Sequence, residues 1–339
     1  MRSRKVNTTE ISVVAPCFNE AENLSDFVRR TSAVLDESGL AYEIILVDDG
    51  SHDGTPDVVS DLTRQCPNVT VISLSRNFGH QAAVTAGLDH VADGAVVLID
   101  ADLQDPPEVI REMIAKWRDG YDVVYGQRRS REGEGVFKLW TAKLFYQLMG
   151  ILTHRNVPRD AGDFRLMDRR VVRAVQQMRE QHRFIRGMVS WVGFRQTPVL
   201  YDRHPRRAGT THYPFWKMFL FAIDAITSFS TVPLRLITVL GAVIVVATSL
   251  LSLAVFAIRL YRPDYFIPGF TALTLIMLFF GGVQLVSIGV VGEYIGRIYE
   301  EVKERPLYLV REITFSEARG ARLVAPANHG RVKTVDKTV

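Results

Sequence analysis

Apolar runs that end in acidic or amide residues recur along the first third of the chain. "ISVVAPCFNE" gives an apolar strand over residues 11–15 that meets Pro16 and then Asn19 and Glu20. "YEIILVDDGSHDGT" gives a second, ending in Asp48 and Asp49 before a Gly-Ser turn. "VTVISL" gives a third, followed by Arg76 and Asn77; "VVLIDADLQDPPEVI" gives a fourth, running into Asp100, Asp102 and Asp105. "DVVYG" reads as a fifth. Between them, residues 20–36 repeat apolar positions at helical spacing through Leu24, Phe27, Val28 and Leu35. Further helices are predicted over 53–66 and from Gly79 onward. Strands alternating with helices predict an α/β fold with a parallel sheet. The polar strand ends then line one sheet edge, where such folds form a ligand crevice.

The fourth strand end carries the most chemistry. Asp105-Pro106-Pro107-Glu108 reads as a helix start with Asp105 as its cap. Asp100 and Asp102 precede that cap and are not explained by it. Unpaired charges at the edge of a core are costly. Two carboxylates one residue apart at a strand end can share a hard divalent cation, which prefers oxygen ligands. No G-x-G-x-x-G follows the first strand, which disfavours a nicotinamide dinucleotide fold.

The pattern changes in the second half. Residues 236–258 and 266–292 carry no charge, with Gln284 the one strongly polar side chain in the second run. Each exceeds the ~20 residues needed to cross a bilayer. They predict a transmembrane hairpin closed by Arg259–Tyr265. Lys217 and Arg235 precede it, and Arg297, Lys303, Arg305 and Arg311 follow it, which places the main body and both termini in the cytoplasm. Arg259 and Arg262 in the outer loop run against that rule. Residues 214–232 are apolar except for a stripe of Lys217, Asp224 and Ser228, the pattern of an interfacial helix. Residues 136–152, with Phe137, Trp140, Leu144, Leu148 and Ile151 on one stripe, fit the interface and a packed core equally.

Composition adds bounds. Lys and Arg number 41 against 37 Asp and Glu, a net charge of +4, too mild to imply nucleic acid. The two cysteines, Cys17 and Cys66, form neither a C-x-x-C pair nor a disulfide framework, which fits a reducing compartment. The N-terminal residues lack a long apolar run before the first strand, so a cleaved signal peptide is not expected.

Seven segments then occur in order: "VVAPCFNEAENL", "ILVDDGSHDGT", "LSRNFGHQAAVTAGLDH", "LIDADLQDPPE", "VYGQRRSREGE", "AGDFRLMDRRVV" and "FIRGMVSWVGF". With the hairpin they resemble the polyprenyl-phosphate glycosyltransferases of glycosyltransferase family 2, whose fold is GT-A. The bacterial bactoprenol glucosyltransferases look most similar and dolichol-phosphate mannose synthase more distantly so. The resemblance covers about residues 10–310. It implies a flexible tail at 1–9, a cytoplasmic GT-A catalytic domain at 10–213 and an interfacial helix at 214–232. A transmembrane hairpin at 233–295 would follow, with spans about 236–258 and 268–292, then a cytoplasmic segment and tail at 296–339.

The resemblance also implies residue roles. Pro16, Asn19, Glu20, Asp48 and Asn77 would hold the nucleotide sugar. Asp100, Asp102 and Gln104 would bind Mg2+ or Mn2+ and, through it, the diphosphate. Arg128, Arg129, Arg131, Arg207 and His212 would hold the lipid phosphate, since arginine forks suit phosphate oxygens. The family usually reads G-E-S/T-K-Y where this chain has Thr210 and His212. Asp163 matches the residue usually called the catalytic base. A phosphate monoester has a second pKa near ~6 and is already largely dianionic at neutral pH. Asp163 therefore reads either as a base or as a group that orients the acceptor or Arg165, and a buried Asp163–Arg165 pair is also compatible. Asp168 reads as a helix cap.

The implied activity is an inverting, metal-dependent transfer of a hexose, glucose from a UDP-linked donor before others, to undecaprenyl-type phosphate. It would occur at the cytoplasmic face of the inner (plasma) membrane. The implied partners are a nucleotide sugar, polyprenyl phosphate, the lipid bilayer and further copies of the chain, since tetramers occur in the family. Mannosyl or amino-sugar transfer to the same acceptor is the alternative. A processive polysaccharide synthase would carry a Q-x-x-R-W motif and more spans. A non-catalytic partner of a flippase would tolerate loss of Asp100, Asp102, Gln104 and Asp163, all of which are present.

Overall fold

The computed structural model describes residues 9–91, 93–129, 161–203, 232–261 and 270–316. The elements run β1 (Ile11–Cys17), α1 (Ala21–Ser38), β2 (Tyr42–Asp48), α2 (Thr55–Gln65), β3 (Val69–Leu74), α3 (His80–His90) and β4 (Ala95–Leu98). Then follow α4 (Ile110–Arg118), β5 (Val123–Arg128), β6 (Ala161–Met167), α5 (Arg169–Gln177), α6 (Ile185–Val192) and β7 (Gln196–Tyr201). Two long helices, α7 (Val232–Tyr261) and α8 (Phe270–Val302), precede a last strand, β8 (Val310–Phe315).

The strands form one sheet in the order β7-β5-β6-β4-β1-β2-β3-β8. The first four strands are parallel, as the alternation with helices predicts. The sheet is mixed because β6 and β8 run antiparallel to their neighbours. Successive residues of the central strands serve opposite faces, so Val13 and Ile44 pack beneath α1 while Val14 and Ile45 pack beneath α3. Helices on both faces explain why these strands are apolar throughout rather than alternating. Phe27, Leu24 and Leu35 of α1 are fully buried, each contributing about 1.5–3 kcal/mol of transfer free energy. Gly87 lets α3 lie tight on the sheet: a Cβ there would come within 2.3 Å of Val14 Cγ1.

The strand order reverses direction at β1, which has β2 on one side and β4 on the other. That switch point opens the crevice at the carboxyl ends of the strands, where Asn19, Asp48 and Asp100 lie.

The first apolar run, 236–258, falls inside α7, and the described part of the second, from residue 270 to 292, inside α8. Among the described residues one segment, Phe279–Val302, is long and apolar enough to cross a membrane. Large side chains on both helices stand exposed, among them Leu253 at 65% and Leu285 at 72%. The chain after α8 returns to the sheet, where β8 pairs antiparallel with β3 through Val71 and Thr314. Tyr308 donates its hydroxyl to Asp89 Oδ2 at 2.9 Å, fastening that return to the end of α3. The helices expected at 136–152 and 214–232 lie outside the described residues, apart from the last residue of the second. Arg131, Arg207, Thr210 and His212, the residues 1–8 and the tail from Glu317 also lie outside them.

Candidate active site

The crevice is built from four strand ends. After β1, Asn19 takes a left-handed φ of 57°, which asparagine tolerates better than most residues. Its carboxamide oxygen accepts the His52 N–H at 3.0 Å, and its own N–H donates to Ser51 Oγ at 3.0 Å. Glu20 donates its N–H to Thr55 Oγ1 at 2.9 Å, and its carboxylate accepts from Asn23. These bonds join the end of β1 to the turn after β2. Pro16 is buried within β1. Asp48 is fully buried; Oδ1 accepts the Ser51 N–H at 3.0 Å, while Oδ2 has no hydrogen-bond partner.

Asp49 has a different task. Its two oxygens accept the N–H groups of Phe78 and Gly79 at 2.7 and 2.9 Å. Gly50, at φ 72°, lets the turn press on the loop after β3, where a Cβ would meet the Arg76 carbonyl carbon at 2.6 Å. The loop is thereby fixed, with Asn77 exposed and His80 starting α3.

Beyond β4 the chain makes a tight loop. Gln104 donates its N–H to Asp102 Oδ1 at 3.1 Å. Leu103, between them, is buried at a left-handed φ of 58°, strain costing about 1–3 kcal/mol. Asp105 is not the helix cap expected of it. The following helical turn is preceded by Pro106 with no side-chain cap, and Asp105 is instead buried, accepting the Tyr201 hydroxyl at 2.5 Å. Arg203 Nε lies 3.7 Å from the same oxygen. Asp168 does act as a cap, accepting the Arg170 N–H at 3.0 Å.

β6 runs antiparallel to β4 with Leu98 opposite Arg165, so Asp163 arrives beside Asp100. Its carboxylate is held by three donors. Arg186 spans both oxygens, Nε to Oδ1 at 2.7 Å and Nη2 to Oδ2 at 3.0 Å. His80 Nε2 lies 3.2 Å from Oδ2 and 3.7 Å from Asp100 Oδ1. Burial alone would raise the Asp163 pKa, but the bonds from His80 and Arg186 and the charges of Arg186 and Arg165 outweigh it and hold the group well below the usual carboxylate range. Burial lowers His80, and its bond to Asp163 with the charges of Asp100 and Asp163 turns the net shift upward. Asp100 is pushed up to about 6, first by burial, and despite the opposing charge of His80. Arg165 does not form the carboxylate pair that the sequence allowed. Its buried guanidinium donates to the backbone oxygens of Gly162 and Asp163 at 2.8 and 3.2 Å.

Two oxygens in this cluster, Asp100 Oδ1 and Gln104 Oε1, are buried without a hydrogen-bond partner. Unsatisfied buried acceptors are rare and costly, and these fit a hard cation. Among the described residues no three His, Cys, Asp or Glu side chains are arranged to hold a metal. A cation here would therefore complete its shell with substrate oxygens or water, as Mg2+ commonly does. Arg128 ends β5 with its Nε buried and unpartnered, beside the Tyr201 hydroxyl. Arg129, the next residue, is 60% exposed, with Nη1 3.6 Å from Asp202 Oδ2.

His80 and Arg186 were not singled out from the sequence. The available signal for Arg186 was a lone charge inside the apolar stretch "FIRGMVSWV", which demands a partner. Nothing local marked His80 or Tyr201.

Residues 12–176 match the family model for glycosyl transferase family 2. An uncharacterized glycosyltransferase of Synechocystis sp. is 48% identical over 90% of this chain and 96% of its own length. The SfII prophage-derived bactoprenol glucosyl transferase of Shigella flexneri is 41% identical over 89% of this chain and 98% of its own length. Mannosyl-3-phosphoglycerate synthase from Rubrobacter xylanophilus is similar over 64% of this chain and 72% of that one, at 17% identity and a TM-score of 0.46. The chain belongs to glycosyltransferase family 2: it is a glycosyltransferase with a GT-A-like mixed α/β sheet.

Proposed function

We propose that the protein transfers a hexose, glucose from UDP-glucose, to the phosphate of an undecaprenyl-type lipid, with inversion at the anomeric carbon. The reaction would take place at the cytoplasmic face of the plasma membrane, with α7 and α8 as a transmembrane hairpin. The carrying observation is the pair of buried oxygens without a hydrogen-bond partner, Asp100 Oδ1 and Gln104 Oε1, close to Asp163 at the switch-point crevice. The relation to the Shigella flexneri protein along nearly its whole length supports the lipid acceptor. The exposed apolar side chains of α7 and α8 support a membrane site.

In this reading Asp100, Asp102 and Gln104 hold Mg2+ or Mn2+. The ion, when bound, neutralises the donor diphosphate and stabilises it as a leaving group. The free oxygen of Asp48 accepts from the base or ribose, with Pro16, Asn19, Glu20 and Asn77 lining that end. Arg128 and Arg129, with Arg131, Arg207 and His212, meet the acceptor phosphate. One acceptor oxygen bonds to the anomeric carbon as the bond to the diphosphate breaks. The acceptor is already dianionic near neutrality, so no proton need be removed. Asp163, with both oxygens engaged and its basicity depressed, is a poor base and serves to orient.

A panel of UDP-glucose, GDP-mannose and UDP-N-acetylglucosamine against a short-chain polyprenyl phosphate, read by mass spectrometry, tests this. Lipid-linked glucose is expected; product from GDP-mannose alone would refute the sugar and nucleotide.

A further inference from the structure

We infer that Arg186 is a positioning residue for Asp163, and that Gln81 sets its reach. The inference rests on the transferase reading above and deepens it.

Three observations converge. First, Arg186 makes a two-point contact to Asp163, through Nε at 2.7 Å and Nη2 at 3.0 Å. A fork of this kind fixes the plane of the carboxylate as well as its place. Second, Asp163 is 6% exposed in its side chain, whereas Arg186 is 34% exposed. A carboxylate this buried needs its partner to remain charged, and the partner itself is only partly buried. Third, the two helices that supply donors to Asp163 are bolted to each other. Gln81, next to His80 in α3, accepts the Ile185 N–H in its side-chain oxygen at 3.0 Å. Ile185 is the first residue of α6 and adjoins Arg186. One carboxamide therefore satisfies an orphan helix N–H and fixes the spacing between His80 and Arg186.

β6 alone cannot hold the Asp163 side chain, because Arg165 spends its guanidinium on the backbone beneath it. The orientation comes from outside the strand, from α3 and α6. Displacing a positioned group by about 1 Å can cost about 100-fold in rate. Residues acting as one unit lose activity non-additively.

The test is a double-mutant cycle on the full-length protein in detergent, with UDP-glucose and polyprenyl phosphate. Arg186→Gln should lower kcat by about 100-fold and leave the KM for nucleotide sugar within about twofold, since the arginine acts through Asp163. Asp163→Asn with Arg186→Gln should be no more than about twofold worse than Asp163→Asn alone. Gln81→Ala should show a weaker form of the same kcat loss. Losses that multiply in the double variant, or a raised KM for the lipid without a kcat change, overturn the inference. Thermal melting supplies a readout independent of turnover. Arg186→Gln should lower Tm by stranding a buried carboxylate, and adding Asp163→Asn should recover part of that fall. A double variant whose fall in Tm from the wild type equals the sum of the two single falls refutes the pairing. If the transferase reading fails, the wild type makes no lipid product, and the melting comparison still decides whether Arg186 holds Asp163.

Discussion

Tyr201 donates its hydroxyl to Asp105 Oδ1 at 2.5 Å, joining the last residue of β7 to the loop that carries Asp100, Asp102 and Gln104. Both side chains are buried, at 4% and 3% exposure. The edge of the sheet thus braces the acidic loop, and the third carboxylate of "DADLQD" serves the fold. Tyr201→Phe should destabilise the catalytic domain by about 1–3 kcal/mol, the cost of leaving a buried acceptor short of its donor. Chemical denaturation in detergent measures it. A change under about 0.5 kcal/mol, the range of ordinary surface substitutions, would show that the bond does not brace the loop.

Proton and metal compete for Asp100. Burial raises its pKa to about 6, above its ordinary value near ~4. Its contribution to stability is therefore full below the ordinary value and is lost as pH rises through 6. A divalent cation needs the carboxylate, so metal binding follows the opposite course. Mn2+ should raise Tm little at pH ~5 and fully above pH ~7, because ligand binding to the folded state stabilises it. Asp102→Asn should remove most of that rise and abolish transfer. An equal rise in acid and neutral solution would contradict the assignment of the cation to these carboxylates.

Asp163 should stay ionised throughout the working range, because its partners hold it far below ordinary carboxylates. Its contribution to stability is then present at neutral pH and lost only in strong acid. The loss of activity in Asp163→Asn should be the same at pH ~6.5 and ~8.5, since geometry does not titrate. A true base would give a loss that shrinks as pH rises above the acceptor's second pKa, near ~6. The comparison belongs also in a His212→Lys background, because a histidine at that position titrates in the same range.

Much of this fold was legible because the physics was local. β1 to β4 are apolar on both faces and end in polar residues, a pattern set by burial between two helical layers. β6, β7 and β8 were not legible as strands. β6 carries Asp163 and Arg165 inside the sheet, β7 holds Pro198, and β8 is an edge strand with Arg311 and Glu312 exposed. The acidic half of the site was visible for the same reason, since D-x-D follows a strand directly. The cations that hold Asp163 were not. Arg186 lies 23 residues from Asp163 and His80 lies 83 away, and only the antiparallel turn of β6 and the docking of α3 and α6 bring them together.

The proposed topology has its own test. Reporters at the N-terminus and after Arg311 should both read as cytoplasmic, and a tag within Arg259–Tyr265 as external. β8 supports the first part, since a strand paired with β3 must share a compartment with the catalytic sheet. Reporters on opposite sides would break the hairpin.

The most direct measurement offers the protein UDP-glucose with either polyprenyl phosphate or the free polyprenyl alcohol, with and without chelator, and weighs the lipid products. Glucose should appear on the phosphate-bearing lipid alone, and only while divalent cation is present. Glucose on the alcohol, undiminished product in excess chelator, or consumption of UDP-glucose with no lipid product would contradict transfer to a lipid phosphate at the Asp100–Asp102–Gln104 crevice.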